Sequence, residues 1–222
     1  MVSGIQLKSF EIIKDAKYIW DTNNIYDNTN KVSIDFSKIE NSKNIDSNTI
    51  FVFQIICRYK ENFKEDDIYI LSKAKELGFK TVDIAIAHPE SFPTAKVLQE
   101  IQRVGIEVVT STTLGADTNL ISENEEVRRK GIESLKKLVD INVTLGSKIL
   151  GGVNYAGWGC LSGKPRSEEE WKHSVEAMRE VCDYAKSQDP ELNLCVEPVN
   201  RFETHFLNTA EDAVKYCKAV GT

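Results

Sequence analysis

The chain predicts a parallel α/β fold. Two observations carry this. From residue 49 onward, runs rich in β-branched and aromatic residues alternate with segments of helical apolar spacing, five of each, joined by short loops. The residues suited to chemistry also cluster where those runs stop. Carboxyl ends of strands are where parallel sheets and barrels gather functional groups.

The elements follow in order. Residues 1–46 stand apart: "DTNNIYDNTNKVSIDFSKIENSKNIDSNT" is rich in Asn, Asp, Ser and Lys, with scattered apolar residues. Short strands are expected near 5–13 and 32–36 but no packed core. The segment reads as an extension, loosely ordered or laid over a main domain at 47–222. "TIFVFQII" (49–56) is the first strand, apolar throughout as a strand covered on both faces should be. "EDDIYILSKAKELGF" places Ile68, Ile70, Leu71, Ala74 and Leu77 at helical spacing, with Gly78 as the stop. "TVDIAIA" is the second strand, and "SFPTAKVLQEIQRVG" the second helix, closed by Gly105. "IEVVTSTT" is the third strand. Ser122 with Glu125 forms a capping box that opens a long helix to Leu145-Gly146. "SKILGGV" is the fourth strand, and Ser167 with Glu170 caps a helix through about Ser187. "LNLCVEP" is the fifth strand. Asn208 with Glu211 opens the last helix, ending at Gly221. Five units suit an open doubly wound sheet. A closed (β/α)8 barrel needs eight, typically in about 250 residues, so strand count alone favours the open sheet.

Composition narrows the function. A net charge of −6 argues against a nucleic-acid partner. No apolar run nears the roughly 20 residues that span a bilayer, and the acidic start "MVSGIQLKSFEIIKD" does not read as a secretory leader. Cys57, Cys160, Cys182, Cys195 and Cys217 are odd in number and form no CxxC pair, which suits reduced thiols in the cytoplasm. No phosphate-cradling glycine motif follows a strand and there is no serine nucleophile elbow, so nucleotide binding and serine hydrolysis are disfavoured.

Glu197 is the strongest single signal. It follows Leu192, Leu194 and Val196 in register, and a carboxylate at the end of such a strand needs compensation. It reads as a metal ligand or an acid/base group, or else as an ion pair with Arg201 or simple exposure at the strand end. Glu203 reads as a solvated loop residue or as a functional carboxylate, either of which Arg201 could grip. Trp158, in a Gly-rich loop with Tyr155, walls a ligand pocket or packs across its own loop. His88 and His205 are isolated, and isolated histidines are more often structural than ligands.

"CVEPVNRFETHFLNTAEDA" closely resembles a segment of the D-tagatose 3-epimerase (D-psicose or D-allulose 3-epimerase) family, within the xylose-isomerase-like barrel superfamily. "LGFKTVDIA" (with Asp83 where Glu is usual), "NLISENEEVRRKGIE" and "LGSKILGGVNYAGWG" resemble further family segments in the same order, so the likeness spans roughly 50–221. It implies a (β/α)8 TIM-barrel fold of the sugar isomerase type, incomplete here. It also implies a ketose sugar as partner, and Mn, Co or Mg as cofactor in the complete family site. Protons leave and return at C3 through an enediolate. Glu197 matches the first acid/base group and a metal ligand, Glu203 a carboxylate that contacts substrate, and Trp158 an aromatic wall. The family's other ligands, an Asp, a His and a second Glu, belong to strands six to eight, which do not occur before Thr222. The expectation is therefore a truncated epimerase barrel, either inactive alone or dependent on a second chain. Its open strand edges would favour a homo-oligomer.

Overall fold

The computed structural model describes residues 63–221, together with the backbone of the strand Val52–Ile55. The expected extension at 1–46, its two short strands and the boundary at 47 lie outside the described residues. Five strands form one sheet: β1 (Val52–Ile55), β2 (Thr81–Ala85), β3 (Glu107–Leu114), β4 (Ile149–Gly157) and β5 (Asn193–Leu194). Five helices alternate with them: α1 (Tyr69–Glu76), α2 (Thr94–Val104), α3 (Glu125–Leu145), α4 (Glu168–Gln188) and α5 (Ala210–Val220).

Every strand pair is parallel and the spatial order is β1-β2-β3-β4-β5. This order corrects the inference from strand count. A doubly wound sheet reverses direction at a switch point, and no reversal occurs among the described strands. Strands added in chain order, with α1 to α5 each packed on the next helix, make the wall of a barrel.

The alternation of side chains explains which face carries the core. On β2, Val82 and Ile84 are fully buried and Asp83 is partly exposed. On β3, Val108, Thr110, Thr112 and Leu114 are buried while Glu107 and Thr113 are exposed. Helix α3 buries Ile132, Leu135, Leu138, Val139 and Asn142, the spacing of one apolar stripe. Asn142 is polar within it but satisfied: it exchanges hydrogen bonds with the Thr110 hydroxyl (2.8 and 2.9 Å) and donates to Leu138 O.

Three helices end as expected at glycines with left-handed backbones, Gly105, Gly146 and Gly221. The Ser167/Glu170 capping box is present. Two other starts are displaced. Asn124, not Ser122, caps α3 by accepting from Glu126 N–H (2.9 Å), and Ser122 instead accepts from Asn124 N–H. Thr209, not Asn208, caps α5 through Asp212 N–H (3.1 Å). In both cases a competing cap residue lies within two positions, and the loop decides between them. Asn208 is then free to bridge Val199 O and Thr204 O inside the preceding loop.

Strand β5 is shorter than its apolar run, because only one edge is paired among the described residues. Its donors still continue past Leu194: the N–H groups of residues 193, 195 and 197 reach the carbonyls of 148, 150 and 152 at 2.9 to 3.0 Å. The run is half-buried rather than buried, with Cys195 exposed and Val196 partly so.

Candidate active site

The candidate site lies where β4 and β5 stop. The β4 backbone bulges before it does: the register with β3 shifts between Thr113 and Leu114. Gly152 sits at φ +105°, with its carbonyl accepting Glu197 N–H (3.0 Å). A Cβ on Gly152 would stand 2.2 Å from Thr112 O, so only glycine lets β4 pass this close to β3.

Within the bulge, between Val153 and Gly157, Tyr155 turns toward the helices. It is fully buried among Phe206 and Tyr216, with ring centroids 5.8 and 6.0 Å away. Trp171 completes the cluster, 5.9 Å from Phe206 and 5.4 Å from Tyr216. The Tyr155 hydroxyl donates to Glu197 O at 2.8 Å. Burial pushes its phenol up, and the charges of Glu197 and Glu203 push it further. One buried phenol therefore feels both carboxylates. Tyr155 therefore belongs to β4 rather than to the loop of Trp158, and its hydroxyl supports the end of β5.

Glu197 is partly buried and is the last donor of the run, because the next one, Val199 N–H, turns to Leu207 O at 3.1 Å. Glu203 is also partly buried, and its carboxylate accepts from Asn200 Nδ2 (2.7 Å). Asn200 Oδ1 accepts Phe202 N–H, which sets the turn. Arg201 is exposed and, among the described residues, forms no ion pair with either carboxylate. The alternative that Glu197 exists to pair with Arg201 falls with it.

Trp158 is 42% exposed. The backbone on either side of it is fixed. Gly157 N–H donates to Asn119 Oδ1, Trp158 N–H to Leu114 O, and Gly159 N–H to Glu203 O, each at 2.7 Å. The last bond ties the Trp158 loop to the Glu203 loop. Glu197, Glu203 and Trp158 thus come from two adjacent strand ends and share one scaffold.

Sequence reasoning missed Asn119 and the pair His205–Glu170. His205 Nε2 lies 3.1 Å from Glu170 Oε1. Burial raises the Glu170 carboxyl, but the bonds from the Ser167 backbone and His205 outweigh it and hold the group below its ordinary value. Both residues line a cavity of about 280 Å³ with Asn119, Ile121 and Cys160. Burial pushes the Cys160 thiol up, away from the reactive thiolate.

Among the described residues no three His, Cys, Asp or Glu side chains group closely enough to hold a metal ion. A hard divalent ion takes about six oxygen donors, so the described residues do not by themselves fit one. No helix among them is long and apolar enough to cross a membrane.

A family model described as xylose isomerase-like TIM barrel matches residues 71–222. An L-ribulose 3-epimerase of Methylomonas sp. (strain DH-1) is 31% identical over 150 residues, covering 68% of this chain and 51% of the relative. A D-psicose 3-epimerase of Ruminiclostridium cellulolyticum is 29% identical over 171 residues, 73% of this chain and 56% of the relative. Among solved structures, a D-allulose 3-epimerase from Methylomonas sp. in complex with D-allulose superposes with a TM-score of 0.65 at 29% identity, over 69% of this chain and 52% of that one. The chain spans about half the length of the curated relatives it matches. An AP endonuclease of family 2 from Brucella melitensis, 17% identical with a TM-score of 0.58, shares the fold alone.

Proposed function

Because this chain belongs to the xylose isomerase-like TIM barrel family, we propose that it carries one half of a ketose 3-epimerase site, with Glu197 as the proton-transfer group and Glu203 and Trp158 as sugar contacts. One observation supports this above the others. Two partly buried carboxylates, one at the end of β5 and one in the loop that follows it, lie near one buried phenol, and the loop of an exposed tryptophan is bonded to the Glu203 backbone carbonyl.

The chemistry is short. The C2 carbonyl of a ketose acidifies the C3 hydrogen. Glu197, ionised, takes that proton, and the C3–H electron pair moves into the C2–C3 bond of an enediolate. Return of the proton to the same face restores the ketose, and return to the opposite face gives the epimer. Glu203 is placed to accept hydrogen bonds from sugar hydroxyls, and Trp158 offers its indole to the apolar face of the sugar. A divalent metal would supply charge stabilisation of the enediolate when bound. Glu197 could be one of its ligands, and the remaining donors are not among the described residues.

The test is C3 exchange in D2O. Fructose, psicose or tagatose is incubated with the full chain and Mn, Co or Mg, and loss of the C3–H signal is followed by proton NMR. The expected result is exchange that falls by about 10²-fold or more in Glu197→Gln. Exchange unaffected by that substitution would sink the assignment. A second reading has its own support in the half-length match and the absence of a three-ligand group among the described residues. In it, the chain is a catalytically inactive barrel segment, or one that acts with a second chain. No exchange with any of the three sugars would leave that reading standing.

A further inference from the structure

The loop that carries Glu203 is held from two sides. On one side Gly159 N–H donates to Glu203 O at 2.7 Å, which ties in the Trp158 loop. On the other side the loop is fastened to the start of α4. His205 Nε2 meets Glu170 Oε1 at 3.1 Å, and Arg166 donates to Phe206 O at 2.9 Å while lying 4.2 Å above the Trp171 ring. Glu170 is itself held, because its second oxygen accepts Ser167 N–H at 2.7 Å. The His205 and Glu170 side chains are only 12% and 21% exposed, so their bond is shielded from water.

The surroundings also assign the proton. An ionised carboxylate only accepts, so Nε2 of His205 carries the hydrogen.

We propose that His205 is a positioning residue: its imidazole donates Nε2–H to Glu170, hangs the Glu203 loop on the capped first turn of α4 and so sets Glu203 against the Trp158 loop. Its catalytic meaning rests on reading Glu203 as a sugar contact. The clamp itself does not depend on that reading.

The experiment uses the full chain and two measurements. Imidazole nitrogen–proton correlation spectra at neutral pH should show a proton on His205 Nε2 held in a hydrogen bond. Amide hydrogen exchange is then compared in His205→Gln, whose amide N–H can stand near the Nε2 position, and His205→Asn, whose shorter amide cannot. Gly159 protection should stay within about threefold of wild type in the Gln variant and drop by about tenfold or more in the Asn variant, while Gly157 and α3 keep theirs. If ketose exchange is detected, the Asn variant should raise KM more than it lowers kcat, and the Gln variant should restore both. An Nδ1–H tautomer, unchanged Gly159 protection in the Asn variant, or equal loss across Gly157 and α3 would each overturn the proposal. Amide exchange needs no sugar or metal. A chain that turns over no ketose but shows the Gly159 pattern therefore keeps the clamp and loses only the epimerase reading.

Discussion

Gly151 and Gly152 are neighbours in one motif, yet alanine should be accepted at one and rejected at the other. At Gly151 an added Cβ meets nothing closer than Thr110 O at 3.9 Å, an ordinary contact, and the backbone is not left-handed. Gly151→Ala should therefore stay within about 0.5 kcal/mol of wild type, or gain slightly by restricting the unfolded chain. Gly152→Ala meets two costs. Its φ of +105° is poorly tolerated by an L side chain, a strain of about 1–3 kcal/mol. Its Cβ would stand 2.2 Å from Thr112 O and 2.9 Å from Thr112 N, both rigid backbone atoms, and overpacking of that kind costs about 1–3 kcal/mol. Together the loss is about 2–6 kcal/mol, a large part of the 5–15 kcal/mol that holds a typical domain. Equilibrium urea unfolding followed by far-UV circular dichroism gives both numbers. Equal effects at the two glycines, or a Gly152→Ala loss under about 0.5 kcal/mol, would refute the account of the close approach of β4 to β3 at Gly152. Since Gly152 O also receives Glu197 N–H, a folded Gly152→Ala protein should lose C3 exchange further than its stability loss explains.

Two pH predictions accompany it. The Tyr155 phenol is raised by burial and by Glu197 and Glu203, so the folded state favours the protonated form more than the unfolded state does. That contribution is fully present below the unfolded value of about 10 and is lost as pH rises past it, so wild type should lose stability above about pH 10 more steeply than Tyr155→Phe. The same variant strips the donor from Glu197 O and should cost about 1–3 kcal/mol at neutral pH by urea unfolding. Glu170 has the opposite sign: burial raises its carboxyl, but its hydrogen bonds from Ser167 and His205 depress it overall, so its contribution is present above the ordinary carboxylate range and is lost as pH falls. Between about pH 5 and pH 3, urea midpoints of wild type should fall more than those of Glu170→Gln, by about 1 kcal/mol, the worth of a charge in a helix's first turn. Parallel pH curves for either pair would contradict these assignments.

Local chemistry was readable from the chain and long-range placement was not. The Ser167/Glu170 box and the glycine stops at 105, 146 and 221 are set by residues within one turn of each other, so their patterns survive in sequence. The caps at Asn124 and Thr209 were displaced because two or more candidates stood side by side and only the folded loop chooses among them. Strand order is a property of pairing between distant segments, and counting strands favoured the wrong winding. Glu197 could be singled out because a carboxylate ends an apolar strand, whereas Glu203 and Trp158 stood out through the resemblance of their segments to the epimerase family. Asn119, Tyr155 and the His205–Glu170 pair break nothing locally. Their roles exist only through partners 35 to 42 positions away.

The chain-order arrangement of the sheet also bears on how the protein folds. Each strand pairs with the strand one unit away, and each helix lies on the next. The loops closed on the way to the native state are therefore one unit long, which keeps the entropy of each closure similar along the chain. Growth can then begin at any adjacent pair of units and spread in either direction, as in a solenoid array. The long α3 and α4 around β4 make the best starting point, since they bury the largest contiguous part of the core. The candidate site straddles the end of that segment, so its two carboxylates would be set in place only when β5 docks.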